Sequence, residues 1–503
     1  AGTDASGNNL SGPQIDIKAT MILSKTNTHQ QGILNQDFRL DSAGLPASAH
    51  LVGICGSGMK ALAEYLASAG CRVTGSDLSP ALPTDQALQA GGYRVHQGHD
   101  KRFVPEGTNV LIYSPAIGLA NPERRFAQRM GIPQLSYTQM LGNLMRQKQG
   151  VCIAGTHGKS TTTALTAFVL ENAGVSPSAV IGAELCSQNL NGWAGAGPLF
   201  VAESCEYQRS FLNLYPYYAA ITNIEPDHFD YFKNQDDMTS AYAEFVARIP
   251  ADGTLIMPAA CRGAVEIRTA CLAKIATFSL EEEADWWATD IKQTTYGQRF
   301  RLFYQGEYFS EISLQKRGRH NVSNAMVAAI LCHSAGVPAE DIREGIYQFP
   351  GIRRRYEHRG SYKGITLIDD YAHHPTAIQA TLNLLRQEYP DRKVWCVYEP
   401  HQVSRTQAMM DSYSRSFRLA DEVLIAPVYA AREKLGTEPV DTSKELVQRI
   451  LLHNAAVRFG SSLDQIVSTL ETEAQSGDII ITMGAGEINR IHHEFNRRLQ
   501  RHS

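Results

Sequence analysis

Short apolar runs that end in small or polar residues recur along the chain, most of them followed by helical spacing. The first is His50-Leu-Val-Gly-Ile, read as a strand running into a turn with Gly53, Gly56 and Gly58. Leu62, Tyr65, Leu66 and Ala69 then fall on one helical face, closed by Gly70. Cys71–Gly75 is the next strand and ends at Ser76-Asp77, giving a βαβ unit with an acid after its second strand. That is the layout of a dinucleotide fingerprint, but the glycine spacing is not GxGxxG, so the ligand class stays open. Val110–Ser114 adds a further strand. A second series opens with the apolar run from Val151, which breaks at Gly155 before Gly158-Lys159-Ser160 starts a helix striped by Leu165, Phe168 and Val169. Leu199–Glu203 and Tyr218–Asn223 read as parallel strands of the same sheet, residues 285–315 as an antiparallel section, and residues 321–334 as a helix. In the third series Gly364–Asp370, Lys393–Tyr398, Glu422–Ala426 and Asp478–Thr482 are strands separated by helical patterns.

The pattern therefore predicts an α/β protein of three domains. A Rossmann-like domain spans 48–148, a central α/β domain of the P-loop ATPase type spans 149–350, and a Rossmann-like domain spans 351–503. A length of 503 residues suits three domains of roughly 150 residues each. Residues 1–47, rich in Ser, Asn, Gly and Gln, are expected to be a disordered extension. A net charge of -4 gives no reason to expect nucleic acid or an anionic membrane as partner. No apolar run approaches a membrane span of about 20 residues. Nine scattered cysteines without a CxxC pair indicate free thiols, a reducing cytoplasm and no zinc module.

The candidate chemistry centres on Gly155–Thr161. A strand, a glycine turn and a helix N-terminus aim several backbone N–H groups at one point, which favours a phosphate. Lys159 adds a positive charge and the Ser160 hydroxyl a possible Mg²⁺ ligand. The full P-loop spacing would place Gly at position 153, where Ile stands, so the match to the general pattern is partial. Glu203 ends a neighbouring strand, where a carboxylate can reach a metal held by the loop. His228, in Thr222-Asn-Ile-Glu-Pro-Asp-His, follows another strand of that sheet. Asn321 and Asn324 lie one turn apart at a helix start, and either bind a ligand or cap the helix. Arg353-Arg-Arg355 is a solvated run unless it faces the phosphate loop, where it would stabilise a transferring phosphoryl group. His373 and His374 are neighbours that point different ways, so they do not share one ion.

Together Gly-Thr-His-Gly-Lys-Ser, Asn-Ile-Glu-Pro-Asp-His, Gly-Arg-His-Asn-x-x-Asn and Asp-Asp-Tyr-Ala-His-His-Pro-Thr resemble the Mur ligase family, in family order, from about His50 to the C-terminus. The resemblance is strongest to the branch that joins L-alanine to UDP-N-acetylmuramate in peptidoglycan precursor synthesis. It implies an ATP- and Mg²⁺-dependent, amide-forming ligase. In that chemistry the substrate carboxylate takes up the γ-phosphate, becomes an acyl phosphate, and is attacked by the amine. It implies a cytoplasmic enzyme, monomeric or a weak homodimer, with no nucleic-acid or membrane partner. By the same resemblance Gly155, Thr156, His157, Gly158, Lys159, Ser160 and Thr161 hold ATP, with His320, Asn321, Asn324, Arg355 and Asp370. Ser160, Glu203 and His228 hold Mg²⁺. Gly56, Ser57, Gly58, Met59, Asp77 and Ser114 hold the UDP-sugar. His373, Gln402 and Arg405 face the amino acid. The residues implied to be catalytic are Lys159, Glu203, His228, Asn321, Asn324, Arg355 and Asp370.

Three positions depart from the family pattern. Ser160 stands for the usual Thr and keeps the hydroxyl. Met238–Arg248 lacks the lysine that sister ligases carbamylate, which fits the L-alanine branch. Gln402 stands for an arginine in His-Arg-x-x-Arg, so weaker binding of the amino acid is expected. Competing readings are the ligase that recycles a preformed tripeptide onto the same UDP-sugar, and a nicotinamide-dependent oxidoreductase. The oxidoreductase leaves the phosphate loop unexplained.

Overall fold

A computed structural model describes residues 45–503 apart from 79–87, 89–90, 262, 432, 434–437, 455 and 502–503. The expected extension therefore falls, for residues 1–44, outside the described residues.

The first sheet contains β1 (Ser48–Val52), β2 (Arg72–Asp77), β3 (Arg94–Gln97), β4 (Val110–Tyr113) and β5 (Gln134–Ser136), in the order β3-β2-β1-β4-β5. Every pairing is parallel. β1 is buried on both faces, which is why it reads as an unbroken apolar run rather than an alternating one. The chain turns to opposite sides of β1, so the carboxyl ends of β1, β2 and β4 border a crevice of the kind in which α/β sheets bind ligands.

The second sheet has ten strands: β6 (Gln149–Ala154), β7 (Ser178–Val180), β8 (Gly192–Trp193), β9 (Leu199–Glu203), β10 (Pro216–Ile221), β11 (Thr254–Pro258), β12 (Lys274–Ser279), β13 (Trp286–Thr294), β14 (Gly297–Tyr304) and β15 (Glu307–Leu314). Their order is β15-β14-β13-β12-β11-β10-β6-β9-β7-β8. β6 lies between β9 and β10, both parallel to it, so the loops after these three strands meet at one end of the sheet. β13, β14 and β15 are antiparallel, as the alternation over 285–315 predicts. The helix Lys159–Asn172 follows β6 and packs beside the helix Arg319–Ser334, whose residues from Asn324 to Cys332 are all buried. A helix apolar on all sides needs neighbours on all sides. Here they are the phosphate-loop helix and the sheet, within one continuous hydrophobic core.

The third sheet runs β16-β17-β21-β18-β19-β20. Its strands are β16 (Glu357–Tyr362), β17 (Ile365–Asp370), β18 (Val394–Tyr398), β19 (Glu422–Ile425), β20 (Val457–Phe459) and β21 (Ile479–Met483). All pairings are parallel except that of the edge strand β16 with β17. All nine cysteines are free thiols. Among the described residues no helix is long and apolar enough to cross a membrane.

Candidate active site

The loop between β6 and its helix is held from the neighbouring strand end. Asn223 accepts from Thr156 N–H through its carbonyl at 3.1 Å and from His157 N–H through Oδ1 at 2.9 Å. Its own amide donates back to the His157 carbonyl at 3.0 Å. Gly158 caps the helix with φ +81°, and no side chain caps the N-terminus. The first-turn N–H groups are thus left for a ligand. A Cβ on Gly158 would stand 2.4 Å from Asn324 Oδ1. Asn324 therefore packs directly on the loop, and its Oδ1 also accepts from Thr162 Oγ1 at 3.3 Å.

Lys159 bends back over the loop. Its Nζ donates to the Gly155 carbonyl and pairs with Glu206 Oε2 at 3.0 Å. Burial works against the ammonium charge, but Glu206 outweighs it and holds the Lys159 pKa above its ordinary value. Burial likewise disfavours the Glu206 carboxylate, yet Lys159 and His228 bring it down to about 2. Glu206 is the residue the motifs left unassigned. It lies three positions after Glu203 and is wholly buried. His228, at φ +55°, directs Nε2 to Glu206 Oε1 at 3.4 Å, while its buried Nδ1 has no hydrogen-bond partner. Cys205, Glu206 and His228 offer donor atoms within 4.8 Å of one another.

Glu203 serves the other side of the loop. Its Oε2 accepts from Gly182 N–H at 3.1 Å. A Cβ on Gly182 would lie 2.1 Å from that oxygen and 3.1 Å from Ser160 Oγ. Glycine at 182 thus keeps open a small space faced by the Ser160 hydroxyl and the Glu203 carboxylate. An oxygen-seeking cation fits that donor set, whereas His228 belongs to the separate cluster with Cys205 and Glu206.

Asn321 and Asn324 line a shallow cleft with Thr161, Leu165, Ile346 and Phe349. Asn321 also donates to the Arg317 carbonyl at 2.7 Å, but no side chain caps this helix start, so neither asparagine acts as its cap. Arg355, just before β16, brings the C-terminal part to this helix start. Arg355 lies 4.9 Å over the Tyr371 ring, and its charge acts on both Asp370 and His320. Asp370 ends β17 and accepts from Tyr356 N–H at 2.8 Å and Ala372 N–H at 2.7 Å. Burial pushes its carboxyl up to about 6 despite Arg355.

Among the residues expected to face the amino acid, Arg405 is buried and its Nε donates to Asp227 Oδ1 at 2.8 Å, with His401 Nδ1 3.0 Å from Nη1. Gln402 is 1% exposed and its Nε2 lies 3.4 Å from Asp230 Oδ2. Both residues expected to meet the amino-acid carboxylate therefore already face carboxylates of the loop after β10. His373 approaches the Tyr371 carbonyl through Nδ1 at 3.0 Å, and its ring is 5.9 Å from that of His401. His374 points elsewhere, towards Glu225 and the His157 ring, as adjacent positions require.

In the first sheet Gly56 caps the helix Ser57–Ser68 with no side-chain bond, so its turn too presents free N–H groups beside the crevice. Gly58 approaches the Tyr137 ring, and Met59 is buried. Asp77 Oδ2 accepts from Cys55 N–H at 2.9 Å, and Ser114 follows β4. The expected sugar-binding residues therefore converge on the ends of β1, β2 and β4.

Comparison with known proteins bears on the whole chain. Residues 48–149 match the Mur ligase family catalytic domain, 153–332 the Mur ligase middle domain, and 354–486 the Mur ligase glutamate ligase domain. The chain belongs to the Mur ligase family. A UDP-N-acetylmuramate–L-alanine ligase of Desulfitobacterium hafniense (strain Y51) is 38% identical over 450 residues, 89% of this chain and 99% of that protein. The Thermotoga maritima UDP-N-acetylmuramate-alanine ligase MurC superposes with a TM-score of 0.78 at 24% identity, covering 91% and 100% of the two chains. A murein peptide ligase from Psychrobacter arcticus 273-4 gives 0.70 at 26% identity, covering 90% and 99%.

Three acidic residues of this Mur ligase carry more of the geometry than their motifs indicate. Glu206 neutralises Lys159, Asp227 anchors Arg405, and Glu225 receives Thr376 Oγ1 at 2.9 Å from the C-terminal part. A faint signal existed for each, since all follow the ends of strands that flank β6.

Proposed function

We propose that this Mur ligase joins L-alanine to the lactyl carboxylate of UDP-N-acetylmuramate, at the expense of ATP. The observation that carries the reading is that Arg355, from the C-terminal part, lies close enough for its charge to act on His320, at the helix start that bears Asn321 and Asn324 beside the phosphate loop. Such an arrangement positions and neutralises reactants and needs no side-chain nucleophile. The similarity to L-alanine ligases over nine-tenths of the chain supports this substrate pair.

In this reading residues 48–148 bind the UDP-sugar through Gly56–Met59, Asp77 and Ser114. Residues 149–350 bind ATP through Gly155–Thr161, His320, Asn321 and Asn324. Residues 351–503 bind the amino acid through His373, Gln402 and Arg405. Lys159 exchanges its Glu206 contact for the outer phosphates. In the ligand-free loop its ammonium rests on the Gly155 and Thr156 carbonyls and on Glu206. Arg355 adds charge opposite Lys159, which favours phosphate passing to the substrate carboxylate and then leaving when the amine attacks. Ser160 and Glu203 would hold one Mg²⁺ and His228 a second, which would neutralise phosphate charge. The enzyme works in the cytoplasm as a monomer or weak homodimer.

Phosphate release measured with UDP-N-acetylmuramate and each of L-alanine, glycine, L-serine and the cell-wall tripeptide tests this. L-Alanine should support the highest kcat/KM. Turnover with the tripeptide alone would replace the alanine assignment by the recycling ligase.

A further inference from the structure

We propose that His157, Glu225 and His374 form a site for a zinc-class divalent ion that spans the seam between the phosphate loop and the C-terminal part. One potential donor atom from each residue lies within 4.8 Å of the other two. His157 Nε2 is 3.3 Å from Glu225 Oε2, and His374 Nδ1 is 3.8 Å from the same oxygen. Ligand bonds to zinc are about 2.0–2.2 Å, so the widest separation must shorten by about 1 Å. Rotation of side chains on two different chain segments can supply that.

Metal binding displaces two hydrogen bonds: His157 Nε2, which donates to Glu225 Oε2, has to give up that proton, and His374 Nδ1 has to release the long bond from Thr376 N–H. His374 Nδ1 accepts the Thr376 N–H at 3.4 Å, so this nitrogen bears a lone pair rather than a proton. Burial, and then the neighbouring His157, keep the His374 ring neutral at pH 7 by pushing its pKa down to about 4. The Glu225 carboxylate, hydrogen-bonded to His157, is ionised, its pKa brought down to about 2. Thr376 Oγ1, 2.9 Å from Glu225 Oε2, orients the carboxylate from outside, as supporting groups of metal sites do. Two imidazoles with one carboxylate select zinc, cobalt or nickel over Mg²⁺, which prefers oxygen alone. Three protein ligands leave one position for water or an anion. None of the three belongs to the Mg²⁺ set of Ser160, Glu203 and His228, although His157 lies in the loop that the ligase reading gives to ATP. An ion there would tie His374, at the start of a C-terminal helix, to the loop that carries Lys159.

The test is binding of Zn²⁺ by calorimetry, and of Co²⁺ by visible absorption, to the metal-free full chain with Mg²⁺ in excess. One ion should bind per chain, with a ligand-field spectrum free of thiolate-to-cobalt charge transfer. His374→Asn keeps a helix-capping side chain but removes the imidazole. Glu225→Gln keeps the shape and removes the charge. Each should weaken binding by at least about tenfold, with metal-free melting temperatures near the wild-type value. If one variant fails to fold, the other decides. Absence of stoichiometric binding, equal binding by a folded variant, or a sulfur charge-transfer band that places the ion at Cys205 would each overturn the proposal.

Discussion

Gly158→Ala tests how tightly the phosphate loop is packed. At φ +81° an alanine is held in the left-handed region, which is unfavourable by roughly 1–2 kcal/mol. Its Cβ would also stand 2.4 Å from Asn324 Oδ1, so loop or amide must retreat by almost 1 Å. Asn324 is buried, and its retreat breaks the 3.3 Å bond from Thr162 Oγ1, a loss of about 1 kcal/mol. The sum, about 2–3 kcal/mol, corresponds to roughly 30- to 150-fold in kcat/KM for ATP. A displacement of the loop by about 1 Å predicts a loss of similar size. The assay is steady-state phosphate release against ATP concentration, for Gly158→Ala alone and in an Asn324→Ala background. Removing the amide removes the collision but leaves the backbone penalty, so in that background the same substitution should reduce kcat/KM by only about tenfold. A loss below threefold, or an equal loss in both backgrounds, would refute the packing argument.

Lys159→Ala should reduce turnover at least about a hundredfold. It should also lower the melting temperature, because Glu206 is left buried without its cation, a change of about 3–5 kcal/mol. Adding Glu206→Gln should restore stability but not turnover, and a double variant as unstable as Lys159→Ala would contradict the pairing. Asp370 has its pKa raised by burial to about 6, above its ordinary 3.8, so the folded state holds the proton more tightly than the unfolded one. Stability should therefore fall by about 3 kcal/mol as pH rises from about 4 to 6. Melting curves of Asp370→Asn should lack that part of the slope; an unchanged slope would remove Asp370 as its source. Gln402→Arg alone should leave the L-alanine KM within about threefold, since Asp230 is placed to take the new guanidinium. With Asp230→Asn added, KM should drop about tenfold, and no drop would show that position 402 does not face the carboxylate.

Much of the fold was legible because its parallel strands are buried on both faces and so appear as apolar runs, β1 and β21 most plainly. The polar edge strand β16, Glu-His-Arg-Gly-Ser-Tyr, has no such pattern and is held by pairing with β17 instead. The phosphate loop was legible because its geometry is local. Contacts made by docking were not. Lys60 lies on the helix after β1, where a lysine is ordinarily solvated, yet it is 2% exposed between Glu64 at 2.7 Å and Glu184 at 2.9 Å. Arg405 and Asp227 are 178 residues apart in sequence, and no spacing rule connects them. Glu203 and Glu206 differ only in which side of one strand end they reach, which the register of β9 against β6 decides.

The seam between the central and C-terminal parts has a consistent polarity that bears on how it closes. Glu225, Asp227 and Asp230 all sit on the loop after β10. Thr376, Arg405 and Gln402 meet them in that order from the C-terminal part. When the seam opens, water replaces each partner, so the attraction gained on closing is largely offset by desolvation, most of all for the buried Arg405–Asp227 pair. These contacts therefore contribute little to drive closure, whereas a closure out of register would bury Arg405 or Asp227 without its partner, at about 3–5 kcal/mol. Their main effect is to select one alignment of the two parts. Substrate binding then has to supply only the modest remainder of the closing free energy. Under the proposed function, an amino-acid carboxylate that engages Arg405 must share it with Asp227, which would link binding of the amino acid to the fit of the seam.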